Sequence, residues 1–358
     1  MNVTVENPQK KVSIVDIARL SGVSIAAVSA VLNDRPNVCQ ATRDRVKEII
    51  RRYQYVPRSA ARALSSKRTY QIGFLLSCKV TLGLSNNYFS TMLSGVYDVC
   101  RKRKYNVTVA TYDMTNIRDF IIPTTIRQHD LDGVIIAGIA DLQILREIQR
   151  TNLPFLTIEG DYPEDILCVK NDDAVVFSNV LSFFYDLGHR KLAVPFFYPE
   201  TKRVYLDAQA RGLAEGRLAD LELEYYRYRG DDFACGSELA DAWLETDRRT
   251  RFSAIVGSDQ YCAGFLGRII RRGARCPEDI SILATETSLS RYCTIPMTTC
   301  DANVFGLGQE AATHLLNLIE KKNSVNKIKS LLRSNRFSGR IIIRDSTAPY
   351  LPLAEAAR

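Results

Sequence analysis

At 358 residues the chain is longer than one hydrophobic core usually serves, so its length predicts two or three folded units. Its hydrophobic (46%) and charged (25%) fractions are typical of a globular protein, and no apolar stretch is long enough for a transmembrane helix. Residues 1–68 hold 13 Lys or Arg and 5 Asp or Glu, whereas the rest of the chain holds 35 of each. The net charge of +8 therefore lies in the first fifth of the chain, where it would attract nucleic-acid phosphates.

The segment 1–11 is polar and lacks the apolar core of a secretory signal, so we expect a cytoplasmic protein. Nine cysteines are scattered without a C-x-x-C pair, and the three histidines do not complete a metal-binding pattern. We therefore expect buried, reduced thiols, no metal site and no cofactor.

Two short helices with clear end signals are predicted within residues 12–32. Ser13 followed by Asp16 resembles a helix amino-terminal cap, and Gly22 ends that helix with a residue that tolerates a left-handed backbone. Ser24 is the predicted cap of the second helix. Two helices joined by such a turn form a helix-turn-helix unit. The predicted inward-facing residues are Ile14, Ile17, Ala18, Leu20, Val28, Val31 and Leu32.

A third helix is predicted from about residue 41 to 53, because apolar residues recur there at helical spacing. Pro57 ends it, and the small-residue run 58–64 is compatible with one or two further helical turns before a polar linker. The residues at helical spacing are Val46, Ile49, Ile50 and Tyr53.

From residue 72 onward, short apolar runs alternate with helix-length amphipathic segments. Such alternation predicts parallel sheets covered by helices, arranged as two doubly wound lobes with a ligand cleft at the carboxyl ends of their strands. We assign one lobe to about 71–169 and 289–330, and the other to about 170–288 and 331–358. The predicted strands are 72–76, 107–111, 133–137, 154–158, 192–196, 253–257, 280–284 and 340–344.

A series of ordered sequence blocks runs through the head and the body. The blocks are Val12–Ala18, Ser21–Ser24, Val28–Asn33, Ala41–Val46, Tyr55–Pro57, Leu131–Ile136, Leu187–Ala193, Ser258–Gln260, Cys276–Ile282, Ile295–Thr299 and Arg344–Pro349. Together they resemble the lactose repressor and galactose repressor family of bacterial transcription regulators over nearly the whole chain.

The resemblance implies an all-α helix-turn-helix head at 1–56, a hinge helix and linker at 57–70, and an α/β body at 71–358. That body is two-lobed and periplasmic-binding-protein-like, with doubly wound parallel sheets. The resemblance also implies a nucleoid-associated repressor that binds a pseudo-palindromic operator in double-stranded DNA as a homodimer. A small-molecule effector in the interlobe cleft, a sugar or related metabolite, would control operator affinity. We expect no membrane partner, and no tetramer, because no heptad tail follows residue 347.

The departures from the family pattern fall where the operator would be read. The recognition helix has small or apolar residues where relatives commonly have polar ones. Such side chains cannot form bidentate hydrogen bonds with bases, but they can contact thymine methyl groups. We therefore expect T·A pairs to be read through Ile25 and Ala26, with a further contribution from DNA shape.

Other expected DNA contacts come from hydroxyl groups, from the hinge and from the family pattern. Each serine at a helix start has a capping role as its alternative. Leu64 matches the family's apolar wedge in the minor groove, with ordinary linker packing as its alternative. The full expected set is Ser13, Ser24, Ile25, Ala26, Ala27, Ser29, Ala30, Asn33, Thr42, Arg58, Arg62 and Leu64.

Seven residues are candidates for the effector cleft. Glu159 and Asp259 match acidic positions that relatives use for ligand hydroxyl groups, although Asp259 also opens a helix and can serve as part of a cap. Gln209 stands where sugar-binding relatives usually carry Arg, which argues against an ordinary sugar. Aromatic candidates have core packing as their alternative role. The full set is Tyr88, Phe89, Glu159, Gln209, Arg211, Phe233 and Asp259.

Two other functions compete with this interpretation. An enzyme is disfavoured because G-x-S-x-G, H-E-x-x-H and P-loop motifs are missing. The near match to a dinucleotide fingerprint at 306–311 is assigned to helix packing, since no strand is predicted immediately before it. A free ligand-binding receptor is disfavoured by the basic head and by the polar start of the chain.

Overall fold

The computed structural model describes residues 12–32, 36–55, 68–77, 83–128, 130–138, 140–197, 199–230, 232–334 and 337–351. The chain divides into two compact units, Met1–Tyr70 and Gln71–Arg358. The expected start of the body at residue 71 matches this division.

The described part of the first unit contains helices α1 (Ile14–Ser21), α2 (Ile25–Leu32) and α3 (Gln40–Arg52). The predicted signals at the helix ends are present. The Asp16 amide donates to Ser13 Oγ (3.3 Å), and the Asp16 carboxylate accepts from the Ser13 amide (2.9 Å). Gly22 ends α1 in the left-handed region (φ 63°), and Ser24 Oγ accepts from the Ala27 amide at 3.2 Å. The 104° bend between α1 and α2 is typical of a helix-turn-helix unit.

The core of this unit is small. Leu20 and Tyr53, both expected inside, are 41% and 40% exposed. The three described helices cover only part of one another's surface, which leaves Leu20 exposed. Helix α3 ends at Arg52, so Tyr53 lies beyond the helical spacing, and Tyr55 packs against the core instead. The buried apolar residues of the described part are Ile17, Ala18, Val28, Ala30, Val31 and Val46.

The second unit contains two sheets. The first sheet is parallel, in the order β2-β1-β3-β4-β5. Its strands are β1 (Gln71–Ser77), β2 (Asn106–Tyr112), β3 (Gly133–Ala137), β4 (Phe155–Ile158) and β5 (Cys168–Val169). The second sheet has the order β11-β10-β9-β8-β6-β7, with β11 antiparallel to β10 and the other pairs parallel. Its strands are β6 (Lys191–Phe196), β7 (Glu222–Arg227), β8 (Ala254–Gly257), β9 (Ser281–Thr285), β10 (Thr298–Asp301) and β11 (Arg340–Ile342).

All eight predicted strands are present, with ends within two residues of the prediction, but three strands were not predicted. β5 has only two residues, which is too short to give a pattern. β7 is an edge strand with charged residues, and β10 contains Thr, Cys and Asp rather than large apolar residues. Because β10 belongs to the second sheet, the expected return to the first lobe at residue 289 is wrong; the return follows residue 301.

Helices cover both sheets. They are α4 (Asn87–Lys102), α5 (Thr124–Arg127), α6 (Leu142–Arg150), α7 (Asp173–Asp186), α8 (Pro199–Ala214), α9 (Asp232–Glu245), α10 (Asp259–Arg271), α11 (Ser288–Tyr292), α12 (Val304–Ile319) and α13 (Val325–Ser334), with a 3-10 turn at Gly83–Ser85. Helix α12 returns to the first sheet, where it contacts α4, β3 and β4.

Within the segment 306–311, Gly308 serves helix packing, as expected. A Cβ at Gly308 would overlap the Met92 carbonyl oxygen of α4, and a Cβ at Gly95 would overlap the Phe305 carbonyl oxygen of α12. The argument from a missing strand was nevertheless wrong, since β10 ends just before α12. The helices touch closely because these positions carry no side chain.

The cysteine prediction is met only in part. The eight described cysteines are free thiols, and burial raises the pKa of Cys100 and of Cys276 to about 12. Cys39, however, is exposed at the start of α3. Among the residues that the structure describes, no cluster of His, Cys, Asp or Glu could hold a metal ion. In the same residues, no single helix is long and apolar enough to cross a membrane.

Candidate DNA-binding surface and ligand cavity

The amino-terminal turn of α2 forms an exposed apolar surface. Ile25 is 47% exposed and Ala26 is also exposed, whereas Ala27 and Ser29 are half-buried. Ala30 is only 7% exposed, so little of its side chain is available for the expected DNA contact. The surface offered by α2 is therefore its first turn.

The expected hydroxyl contacts Ser13, Ser24 and Thr42 lie on the same unit. Ser13 and Ser24 are exposed and also cap their helices, so the capping alternative is observed for both. Thr42 is half-buried, with Oγ1 3.2 Å from Cys39 Sγ. A hydroxyl group that caps a helix can still contact a phosphate, and the amides at a helix start favour anions. Asn33, Arg58, Arg62 and Leu64 lie outside the described residues.

Cationic side chains are exposed on the same unit. Arg19 on α1 has 78% of its side chain exposed, and Arg45, Arg51 and Arg52 on α3 are exposed as well. Arg19 forms a 3.4 Å ion pair with Asp16 within its own helix. These cations suit contact with a polyanion, because neutralising a phosphate releases condensed counterions.

A cavity of about 310 Å³ lies where the carboxyl ends of strands from both sheets meet. Glu159 follows β4, Tyr228 follows β7 and Asp259 follows β8 within two residues. This is where ligands bind in parallel α/β sheets. Seven aromatic residues line the cavity, namely Tyr88, Phe89, Phe177, Phe196, Phe197, Tyr205 and Tyr228. Four carboxylates line it as well, namely Glu159, Asp173, Asp232 and Asp259.

Glu159 is held at the cavity by an unusual backbone conformation. Its φ of 62° is in the left-handed region, which is uncommon for a residue with a side chain, and its amide donates to the Val169 carbonyl at 2.8 Å. The Tyr88 hydroxyl donates to the Glu159 carboxylate. Burial raises the pKa of Glu159 to about 7, against the lowering effect of this hydrogen bond. Burial, together with the Glu159 charge, raises the pKa of Tyr88 well above its ordinary value.

Asp232 belongs to a second hydrogen-bonded group on the cavity wall. Its Oδ2 accepts from Ser258 Oγ at 2.9 Å and from the Tyr228 hydroxyl at 3.2 Å. Ser258 Oγ also accepts from the Tyr261 amide at 3.2 Å and so caps α10. Burial, followed by the nearby Asp232 charge, raises the pKa of Tyr228. Its hydroxyl group is therefore protonated and donates.

Asp259 connects the two lobes. It is 3% exposed, and its Oδ2 accepts from Thr287 Oγ1 at 2.7 Å and from Asn87 Nδ2 at 3.0 Å. Asn87 begins α4 of the first lobe, whereas Asp259 begins α10 of the second. Gln260 adds a parallel link, because its Nε2 donates to the Ser85 carbonyl at 3.3 Å. Capping of α10 falls to Ser258, and Asp259 joins the lobes beside the cavity.

The cavity brings together four of the seven expected effector contacts. Tyr88, Phe89, Glu159 and Asp259 line it, but Gln209, Arg211 and Phe233 do not. Gln209 Nε2 donates to the Leu221 carbonyl at 2.6 Å. Arg211 points along its own helix toward Glu215, with Nε and Oε1 3.9 Å apart. Phe233 is 38% exposed, and its carbonyl lies where α9 and α10 pack closely at Gly264. The structure therefore does not bring these three residues to the cavity.

Several lining residues were missed because they follow unpredicted strands. Asn171 and Asp173 come directly after the two-residue β5, and Tyr228 and Asp232 come directly after the polar edge strand β7. The pair Asp172-Asp173 at a helix start was the one available signal, since acidic residues favour helix amino termini. Tyr205 is buried in the middle of α8, where nothing in its spacing distinguishes a cavity wall from core.

Comparison with known proteins gives matches to both units. Residues 13–58 match the family described as bacterial regulatory proteins, lacI family, and residues 181–347 match a periplasmic binding protein-like domain. The catabolite control protein A of Streptococcus mutans serotype c is 27% identical over 335 residues, which cover 90% of this chain and 95% of that protein. The HTH-type transcriptional regulator pepR1 of Lactobacillus delbrueckii subsp. lactis is 26% identical over 327 residues, covering 89% and 94%.

Among solved structures, the lac repressor dimer bound to operator and the anti-inducer ONPF has a TM-score of 0.75. It shares 21% identity with this chain, and the match covers 95% of this chain and 100% of that one. At this identity, the likeness establishes the arrangement of the fold.

Proposed function

We propose that the chain is a regulator of the lacI family, whose model matches residues 13–58, and that it binds a pseudo-palindromic DNA operator as a homodimer under the control of a small-molecule effector. Such a regulator works in the cytoplasm and performs no chemistry on its ligand. Two heads on a two-fold site double the sequence that is read, and this supports a dimer. The lac repressor, whose fold this chain shares, is a dimer on its operator.

The observation that carries this proposal is the geometry of the head. Two capped helices meet at 104°, the first turn of the second helix is exposed, and the other two described helices of this unit expose cationic side chains. A recognition helix contacts base edges with its amino-terminal residues, and these are the residues left exposed here.

The exposed turn supports readout of thymine methyl groups. Ile25 and Ala26 cannot form hydrogen bonds with bases through their side chains, but they can pack against the C5 methyl of thymine. We propose that T·A pairs in each half-site are recognised in this way. Leu64 remains the proposed apolar wedge in the central minor groove.

The test is selection of binding sites from a random DNA pool with the full chain. We expect enriched sites with two inverted half-sites that contain T·A pairs, and an affinity that falls steeply with salt. Replacing those thymines by uracil in the enriched site should lower the affinity of the wild-type protein, but should have little effect on the Ile25→Ala variant. Failure to enrich any site would contradict the proposed function. An equal uracil effect in both proteins would contradict the methyl readout alone.

We propose that the effector binds in the cavity that Tyr88, Glu159 and Asp259 line. Asp259 touches both lobes, so a ligand that contacts it can favour one relative position of the lobes over another. Thermal-shift measurements with sugars, nucleosides and phosphorylated metabolites, repeated with Asp259→Ala, test this placement. A ligand that stabilises both proteins equally binds elsewhere. Turnover of a bound ligand would support an enzyme instead.

A further inference from the structure

Two hydrogen bonds join the first and second lobes next to the cavity. Asn87 Nδ2 donates to Asp259 Oδ2 at 3.0 Å, and Gln260 Nε2 donates to the Ser85 carbonyl at 3.3 Å. Ser85 and Asn87 stand two positions apart at the start of α4, and Asp259 and Gln260 are the first two residues of α10. One short segment of each lobe therefore supplies both contacts.

The second-lobe side of this contact is held in place by its own lobe. Thr287 Oγ1 donates to Asp259 Oδ2 at 2.7 Å, and the Asp259 amide donates to Thr285 Oγ1 at 3.0 Å. Thr287 also caps α11, because its hydroxyl oxygen accepts from the Leu289 amide at 3.2 Å. These bonds do not involve the first lobe, so Asp259 would keep its position if the lobes separated.

The first-lobe side of the contact is also fixed locally. Asn86 Oδ1 accepts from the Tyr88 amide at 2.9 Å and so caps α4. Within the first turn of the same helix, Ser90 Oγ donates to the Asn87 carbonyl at 3.3 Å. The position of Asn87 therefore follows from the start of α4 and does not require contact with Asp259.

The residues of this contact alternate with residues of the cavity wall. Asn86 and Tyr88 line the cavity, whereas Ser85 and Asn87 bond to the other lobe. Asp259 does both. The Tyr88 side of the cavity belongs to the first lobe and the Asp259 side to the second, so separation of the lobes would divide the cavity.

The lobes are also joined where the chain passes from one to the other. These crossings follow β5, follow β10 and precede β11. Asn171 Nδ2 donates to the Ala302 carbonyl at 2.9 Å, and the Asp172 amide donates to the Phe337 carbonyl at 3.1 Å. Crossings that are bonded to one another suit a hinge. The contact between α4 and α10 uses other residues, so it can open while the crossings stay joined.

The contact between α4 and α10 can open and close because water can replace each of its bonds. A hydrogen bond within a protein exchanges with hydrogen bonds to water, so its net contribution is modest. The bond from Asn87 is the stronger of the two, since its acceptor is a carboxylate. Two such bonds favour one relative position of the lobes without locking it. A ligand that contacts both sides of the cavity favours the same position.

We propose that Ser85 and Asn87 of the first lobe and Asp259 and Gln260 of the second form an interlobe latch. The latch keeps the two sides of the cavity together and sets the relative position of the lobes. Through that position, Asn87 and Gln260 change operator affinity, although neither is among the described residues that line the cavity. This last consequence rests on the proposed function, in which the effector site controls DNA binding.

The latch is tested by replacing one amide with a carboxylate. Asn87→Asp places a second carboxylate against Asp259, and the repulsion should separate the lobes. The combination of Asn87→Asp with Asp259→Asn again sets an amide opposite a carboxylate, and should return the lobes to the wild-type position. Asn116→Asp is the matched control, because the Asn116 side-chain amide donates to the Asp119 carboxylate within the first lobe.

Double electron–electron resonance measures the lobe positions in the full chain. Spin labels are attached through a ketone-bearing amino acid at Ser94 on α4 and at Glu238 on α9, both exposed, so that the native cysteines stay unlabelled. Labelled chain is diluted with unlabelled chain, so that only distances within one chain are recorded. We expect one main distance in the wild type and in Asn116→Asp. Asn87→Asp should give a longer and broader distribution, and the combination should recover the wild-type distance.

An unchanged distance distribution in Asn87→Asp, or a shift that the combination does not reverse, would overturn the latch. Operator affinity is then measured on the selected DNA site, where Asn87→Asp should change it by about fivefold or more and the combination should recover it. Moved lobes with unchanged operator affinity would support the latch and contradict its effect on DNA binding. If the wild-type chain selects no DNA site, the proposed function fails, and the distances still decide the latch.

Discussion

The recognition surface and the ligand cavity are built from the chain in opposite ways. The recognition surface is the first turn of one eight-residue helix, with caps and core residues within a few tens of residues. The cavity takes its wall from segments between Asn86 and Ala302, contributed by both sheets. The recognition surface therefore depends on one short stretch of sequence. The cavity depends on where strands that are distant in the chain end. We therefore expect mutations in the head to change DNA binding without changing the unfolding of the body. Mutations in the body should change the stability of the body as a whole.

The strongest test of whether head and body unfold separately is a charged residue introduced into the head core. Val28 is fully buried, so Val28→Asp should unfold a head in which only six apolar side chains of the described residues are buried. Operator affinity should fall by more than about 100-fold, because an unfolded head keeps only non-specific attraction. Calorimetry should show an unchanged body transition. Leu20→Asp adds the same charge at an exposed site and serves as the control. A shift in the unfolding temperature of the body in Val28→Asp would contradict the independence of the two units.

Two glycines on one helix test the close packing in the body. A Cβ at Gly264 would overlap the Phe233 carbonyl oxygen of α9, whereas a Cβ at Gly267 meets no atom within 4 Å. Gly264→Ala should lower the free energy of unfolding by about 2–3 kcal/mol. Gly267→Ala should leave it unchanged or raise it by up to about 1 kcal/mol, since Ala favours a helix. Urea denaturation measures both, and equal effects would contradict the packing.

The cavity carboxylate Glu159 should make body stability depend on pH. Its pKa is raised to about 7 in the folded protein, so its favourable contribution is full below its ordinary value of 4.5 and is lost as pH rises through 7. Glu159→Gln should therefore be more stable than the wild type at pH 8 by roughly 1–2 kcal/mol, with a smaller difference at pH 5. Thermal unfolding across this range measures the difference. The exposed Glu164→Gln is the control, and a constant difference would contradict the assignment.

The smallest predicted effect is that of a helix cap. Ser13→Ala removes the acceptor for the Asp16 amide and should lower head stability by about 1 kcal/mol, whereas Ser13→Thr should retain most of it. Circular dichroism of the head transition measures the change. Equal losses in both variants would indicate that Ser13 acts through something other than its hydroxyl group.

Much of the fold could be predicted from local patterns. Ser13, Gly22 and Ser24 marked the helix ends correctly because capping depends on residues three or four positions apart. The buried strands β1, β3 and β8 were found because strands covered on both faces are continuous apolar runs. The edge strand β7 and the two-residue β5 lack such a run, and the lining residues that follow them were missed for that reason.

The cavity itself required the tertiary structure. Glu159 and Asp259 were found through a family pattern, but Gln209, three residues from Gly212, gave no local sign that it faces Leu221 rather than the ligand. The direction of a side chain on a helix depends on how that helix lies against its sheet. The basic, capped helix-turn-helix head and the alternation of strands and helices in the body follow from the amino-acid sequence, because charge, capping and apolar runs are local. That Asn171, Asp232 and Asp259 line one cavity follows from the packing of the sheets, because strand ends far apart in the chain meet there.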